Sequence, residues 1–161
     1  MNWEAISALG TWASVIVTCV ALIYAAKALS TWREQEKVKA KMGFKKSLLN
    51  FRQSFIFMPD IFDMQLAAAG NSLILMGDAE GSEKYNLIEY ARGLKNLVAA
   101  YENCNGCWVA TEHLFDGKGE SELFNELIDR FNGYLAGNTT KDEFVKLLIN
   151  LYSRRFVFEH R

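Results

Sequence analysis

Proline is almost missing from this chain: Pro59 is the one instance in 161 residues. Helix breakers are therefore scarce, and no run alternates apolar with polar residues over the length of a strand. Three cysteines and two histidines are too few for a disulfide framework and sparse for metal chemistry. No glycine-rich phosphate loop, His-Glu-x-x-His or Gly-x-Ser-x-Gly occurs. Those absences exclude the commoner phosphate-loop, zinc-protease and serine-hydrolase chemistries. Internal repeats and low-complexity tracts are missing too. A net charge of −1 leaves no excess of positive charge for a generally basic nucleic-acid-binding surface.

The sharpest absence is local. From Ala5 to Ala26 the sequence AISALGTWASVIVTCVALIYAA has no Asp, Glu, Lys, Arg or His, and Cys19 and Tyr24 are its only ionisable groups. Its 22 residues would rise about 33 Å as a helix, enough to cross a hydrocarbon core of about 30 Å. A secretory signal opens with positive charge, whereas this stretch follows Met1-Asn2-Trp3-Glu4, so it reads as an anchor.

What flanks the stretch orients it. From Lys27 to Met58 there are eight basic and two acidic residues; from Pro59 to Arg161 there are ten basic and sixteen acidic. Basic residues stay on the cytoplasmic side, which puts the short N-terminus outside and everything after Lys27 inside. Trp3, Lys27, Trp32 and Arg33 fit the two membrane interfaces. The basic segment suits anionic headgroups of the bilayer. The expected organisation is a transmembrane anchor over 1–28, a basic juxtamembrane helix over 29–58 and a cytoplasmic helical bundle over 59–161. The expected location is a bacterial inner membrane.

Within the anchor, Ser7, Thr11, Ser14, Thr18, Ala21, Ala25 and Ala28 recur at steps of four and three, on one helical face. Ile6, Leu9, Val15, Ile16, Val20, Leu22 and Ile23 take the other faces. Small and hydroxyl residues let helices approach closely in lipid. Two outcomes fit the stripe: plain dimer packing, or a ring of helices with hydroxyls along a narrow path.

The remainder reads as all-α. Phe44, Leu48, Phe51, Phe55 and Met58 form an apolar stripe on a helix expected to end near Phe57, before Pro59. Further helices are expected over Asp60–Leu75, Glu83–Asn103, Trp108–Phe115, Ser121–Leu135 and Lys141–Phe158. Asn103 to Gly106 is expected to break the second of these, and Asp116 to Gly119 to form a turn. Gly137 suits a C-terminal cap, and Thr140 with Glu143 a capping box. Cys104 and Cys107 form a Cys-x-x-Cys with His113 nearby, a weak set of metal ligands because zinc wants about four. Two reduced thiols on a helical turn is the plainer reading. No cofactor is expected.

One chemistry-bearing constellation stands at the tail, Arg154-Arg155-Phe156-Val157-Phe158-Glu159-His160. Arg155 and His160 make an Arg-x-x-x-x-His, and Arg154 gives the spacing one longer. In metal-free RNA cleavage a histidine exchanges the proton of the 2′-hydroxyl or the leaving oxygen, and an arginine stabilises the charged phosphorane. A basic last turn favoured by the helix dipole is the plainer explanation.

Anchor, helical domain and terminal Arg/His pair together resemble the HEPN-like single-pass membrane accessory proteins of type VI-B CRISPR systems. HEPN domains are bundles of four or five helices with Arg-x(4–6)-His in their last part. The resemblance implies an oligomeric membrane pore that strengthens RNA-guided antiphage defence. It implies a homo-oligomeric ring as the assembly, with an RNA-guided nuclease or its RNA products as partner. It also favours the pore-lining role for Ser7, Thr11, Ser14, Thr18, Ala21 and Ala25. Active HEPN nucleases usually carry a polar residue after the arginine; Phe156 stands there, so a non-catalytic domain is implied. The alternatives are a membrane-tethered HEPN ribonuclease and a membrane-anchored helical interaction protein.

Overall fold

Lys, Glu, Gln and Ala dominate the sequence just past the apolar stretch, so a helix begun there has no reason to stop. The structure, a computed structural model describing residues 3–77, 81–115 and 119–157, has one helix, α1, over Trp3–Ser54. Of residues 4–9 and Ser82 the backbone alone is described. The other helices are α2 (Met64–Met76), α3 (Ser82–Thr111), α4 (Glu120–Leu135) and α5 (Lys141–Ser153), with a 3-10 turn over Glu112–Leu114. No strand occurs among the described residues. The chain divides into two units, Met1–Lys39 and Ala40–Arg161, and the division falls inside α1.

The first unit is helical from Trp3, and from Gly10 onward its apolar stretch is long enough to cross a membrane by length and composition. None of its best apolar window is buried. A soluble core helix of this length would be mostly covered, and this one is not.

The second unit is built around phenylalanine. Phe44, Leu48, Phe51 and Phe55 are spaced to share one face, and all four are buried. Phe44 meets Trp108 of α3, Phe115, Phe124 of α4 and Phe156, at ring separations of 5.2, 5.7, 5.6 and 5.9 Å. Two turns on, Phe51 meets Tyr101, Phe131 and Phe144, from α3, α4 and α5. The distal part of α1 is thus the centre of the bundle, with α2 packed on α3 and α4 on α5. Each offset or edge-on ring pair adds about 1 kcal/mol to the burial of its area.

Several boundaries differ from expectation. Helix α1 stops at Ser54, and Phe55 to Met58 turn through Phe55 N–H to Arg52 O and Met58 N–H to Phe55 O bonds. Helix α2 starts at Met64, because Asp63 caps it: Oδ1 accepts from the amides of Gln65 and Leu66 at 2.8 and 3.3 Å. Helix α3 runs unbroken through Asn105-Gly106, so the expected Trp108–Phe115 helix is its last turns plus the 3-10 turn. The face holding Leu97 continues through Cys104, Trp108 and Thr111, all buried. Burying Trp108 outweighs the roughly 1 kcal/mol that glycine costs a helix interior.

Pro59 sits where three carbonyls are held. Tyr134 Oη donates to Pro59 O at 2.8 Å, Lys141 Nζ to Met58 O at 2.8 Å, and the Lys141 amide to Asp60 O at 2.8 Å. Burial raises the Tyr134 phenol above its ordinary pKa, so it stays a donor. Gly137, with φ of 75°, ends α4 as expected. Thr140 Oγ1 accepts from the Glu143 amide at 3.4 Å, the N-terminal half of the expected box.

Candidate functional site

Along the stripe of the first unit, Thr11, Ser14, Thr18, Ala21, Ala25 and Ala28 are all exposed; the side chain of Ser7 lies outside the described residues. Ser14 Oγ donates to Gly10 O at 2.9 Å and Thr18 Oγ1 to Ser14 O at 2.8 Å. Each hydroxyl proton is therefore satisfied inside its own helix. Such a hydroxyl tolerates an apolar medium, and its oxygen keeps a lone pair facing outward. A ring of these oxygens can replace part of a cation's hydration shell, which an aliphatic face cannot.

The neighbouring faces are uniformly apolar and equally uncovered. Ile16, Leu22 and Ile23 are exposed, as are the expected interfacial residues Trp3, Lys27, Trp32 and Arg33. The two acids of the basic segment are paired with lysines a turn on, Glu34 with Lys37 and Glu36 with Lys39, both at 2.7 Å. These exposed i,i+3 pairs contribute a few tenths of a kcal/mol each.

In the second unit the tail is not a helix end as expected. Helix α5 stops at Ser153, and Arg154 is extended, with φ of −63° and ψ of 141°. The reason is Phe156, which returns to the core at 1% exposure, 5.1 Å from the Phe115 ring. The residue that breaks the expected polar pattern after Arg155 is thus a core residue. A helix carried on to Phe158 would forgo this contact.

The two arginines part company here. Arg154 reaches Glu120, Nη1 to Oε1 at 3.5 Å, with the Glu120 side chain 8% exposed. The second oxygen of Glu120, Oε2, is buried with no hydrogen-bond partner among the described residues. Arg155 is exposed and makes no ion pair among the described residues. His160 lies outside the described residues, so the Arg155/His160 pair has no geometry here. Removing Arg154 should expose the difference. Arg154→Ala should cost about 2 kcal/mol, because a buried carboxylate loses its cation. Arg155→Ala should stay within about 0.5 kcal/mol. Urea unfolding reads both, and Glu120→Gln in the Arg154→Ala background should recover most of the loss. Equal losses at the two arginines would refute this division of labour.

Cys104 and Cys107 do not present a ligand pair. Cys104 is buried, its thiol pushed up to about 12 by that burial, which outweighs a hydrogen bond with Ser47. A thiolate, the form a metal takes, is disfavoured there. Cys107 is half-buried and His113 exposed. No group of three or more His, Cys, Asp or Glu converges among the described residues.

Sequence reasoning missed Glu120 as the partner of Arg154, 34 residues away. It also missed Lys45, whose ammonium donates to Arg154 O at 3.2 Å from 109 residues away. Local periodicity carries no signal for either pair. An acid in the first turn of α4 reads from sequence as a helix-dipole partner and nothing more. No protein-family model matches the chain, and no characterised protein or solved structure matches it significantly.

Proposed function

We propose that the protein is a single-pass, non-enzymatic membrane protein whose copies assemble into a pore. In this reading the apolar part of α1 spans a bacterial inner membrane, with its N-terminus outside and the bundle in the cytoplasm. The pore serves as an accessory to RNA-guided antiphage defence, as the HEPN-like resemblance implies. What supports the reading most is an uncharged stretch of α1 with no residue of its apolar window buried, carrying hydroxyls and alanines along one face. A lone helix has no path for ions, so conduction requires several copies, and closed cyclic symmetry is the common arrangement. The commitment of Arg154 to Glu120 speaks against Arg154 as the arginine of a tail-centred ribonuclease.

The test is depolarisation of cells expressing the protein with its activating partner. Thr11→Leu and Thr18→Leu each keep the span apolar while removing a hydroxyl, and each should cut depolarisation on the order of tenfold by dewetting the path. Ile16→Ala, on another face, should leave it near wild type. Equal depolarisation by wild type and both threonine variants would refute the lining assignment. A periplasm-only reporter fused after Arg161 should be silent; an active one would refute the orientation.

A further inference from the structure

Helix α2 is at odds with its surroundings. Its 13 residues include no Asp, Glu, Lys or Arg, yet only Ala67 and Gly70 among them are buried. Met64 and Leu75 are 59% and 81% exposed, and Ala68 and Asn71, between them on the same face, are exposed too. That face walls a shallow groove of about 590 Å³ whose other wall is α3. Ala67 and Ala68 on one side, and Ala91 and Ala99 on the other, leave room for a further helix to approach; Leu94 and Val98 make the floor apolar. Two charges mark the groove, Lys95 and Glu102. Both are exposed, and neither forms an ion pair among the described residues. They stand two helical turns apart on one face of α3, about 10.5 Å along its axis, too far to meet each other.

The spacing of those charges selects the occupant. A second α3 turned end for end, about a two-fold axis between Val98 and Ala99, sets Lys95 opposite the partner's Glu102 and Glu102 opposite the partner's Lys95. One face thus supplies both halves of two opposite-charge contacts, with small and aliphatic side chains between them. A nucleic acid would be repelled by Glu102, and no ring lines the groove for bases to stack on. An unrelated protein would need the inverse pair at the same spacing, which this chain already carries. We propose that the bundle pairs with a second copy of itself through this α2–α3 face, in a two-fold contact with Val98 and Ala99 at its centre and the Lys95–Glu102 pairs at its rim. The inference rests on the second unit alone and not on the membrane reading. It names the partner of the bundle; the number of pairs in an assembly is set by contacts made elsewhere.

The experiment uses the full chain in detergent, with Cys19→Ser and Cys107→Ser so that buried Cys104 is the one native thiol left. Ala99→Cys, beside the axis, should join two copies through a short bismaleimide. Asp129→Cys, exposed on α4, should not. Lys95→Glu and Glu102→Lys should each lower the Ala99→Cys crosslink about tenfold, because two like-charge contacts replace two opposite ones. Both reversals in one chain should restore it. Mixing the two single variants should restore it as well, since each complements the other and not itself. Misfolding caused by one substitution could not be repaired by the other in a separate chain. A missing Ala99→Cys crosslink, or equal yields with and without the charge reversals, would overturn the pairing. Loss in both single variants with no recovery in the double variant or the mixture would overturn the two-fold register. Whole-cell membranes in which Ala99→Cys is joined to a different polypeptide and never to itself would overturn the self-contact in favour of that protein. Depolarisation is read separately: its absence with the crosslink intact would fault the pore reading alone, and a missing crosslink with depolarisation intact would fault the pairing alone.

Discussion

Phe44→Ala should lower the unfolding free energy of the bundle by about 4 kcal/mol. Phe44 is fully buried, and its ring contacts four others drawn from α3, α4, the turn after α3 and the tail. Truncation removes the transfer free energy of the ring and leaves a cavity that four aromatic neighbours cannot close without leaving their rotamers. Domains of this kind are stable by only about 5–15 kcal/mol, so the loss is a large fraction of the whole. Phe57→Ala is the matched control: that ring is 89% exposed and should cost no more than about 0.5 kcal/mol. Urea unfolding of the full chain in detergent, followed by near-ultraviolet circular dichroism, separates the two. A loss below about 1 kcal/mol at Phe44 would mean that α1 does not form the centre of the core.

Gly70→Ala should be the most damaging glycine-to-alanine change among the described residues, at about 3 kcal/mol. A Cβ at Gly70 would stand 1.9 Å from the Leu87 carbonyl oxygen and 3.0 Å from the Ala91 Cβ. The first neighbour is backbone, so α2 must move off α3 rather than a side chain rotating away. The same substitution at Gly106, also inside a helix, meets nothing within 4 Å. There it should stabilise by about 0.5–1 kcal/mol, because alanine is the better helix former. Amide exchange gives the local readout: Gly70→Ala should strip protection from α2 first. Two alanine variants that behave alike would refute the close seating of α2 on α3.

These two positions show what sequence could and could not convey. Phe44, Leu48, Phe51 and Phe55 were legible because their spacing is the helical repeat itself. So was the all-helical class, and so was the apolar span, which announces itself by twenty-two positions without Asp, Glu, Lys, Arg or His. Gly70 and Gly106 look alike as letters; only the neighbour across space tells them apart. The same blindness placed a break at Asn103 to Gly106, where the continuing face of α3 outweighs a local propensity. It also carried α5 on to Phe158, because nothing nearby reveals that Phe156 belongs beside Phe44 and Phe115. Of the candidate site, the hydroxyl stripe was readable from its spacing, but the i−4 bonds of Ser14 and Thr18 had to be seen. The role of Arg154 was not readable, since Glu120 belongs to another helix.

The clasp between Lys45 and Arg154 joins residues 109 apart, and that separation has a temporal meaning. At about 5–20 residues per second, the ribosome needs roughly 5–20 s to make the second partner after the first. Through that interval Phe44 has no Phe156 to meet, and an α1 rich in exposed rings waits beside unfinished helices. Closing so long a loop is entropically slow, and its reward arrives only with the last residues. The bundle is thus finished from its tail, and the nascent chain passes through a sticky stage that the completed fold conceals.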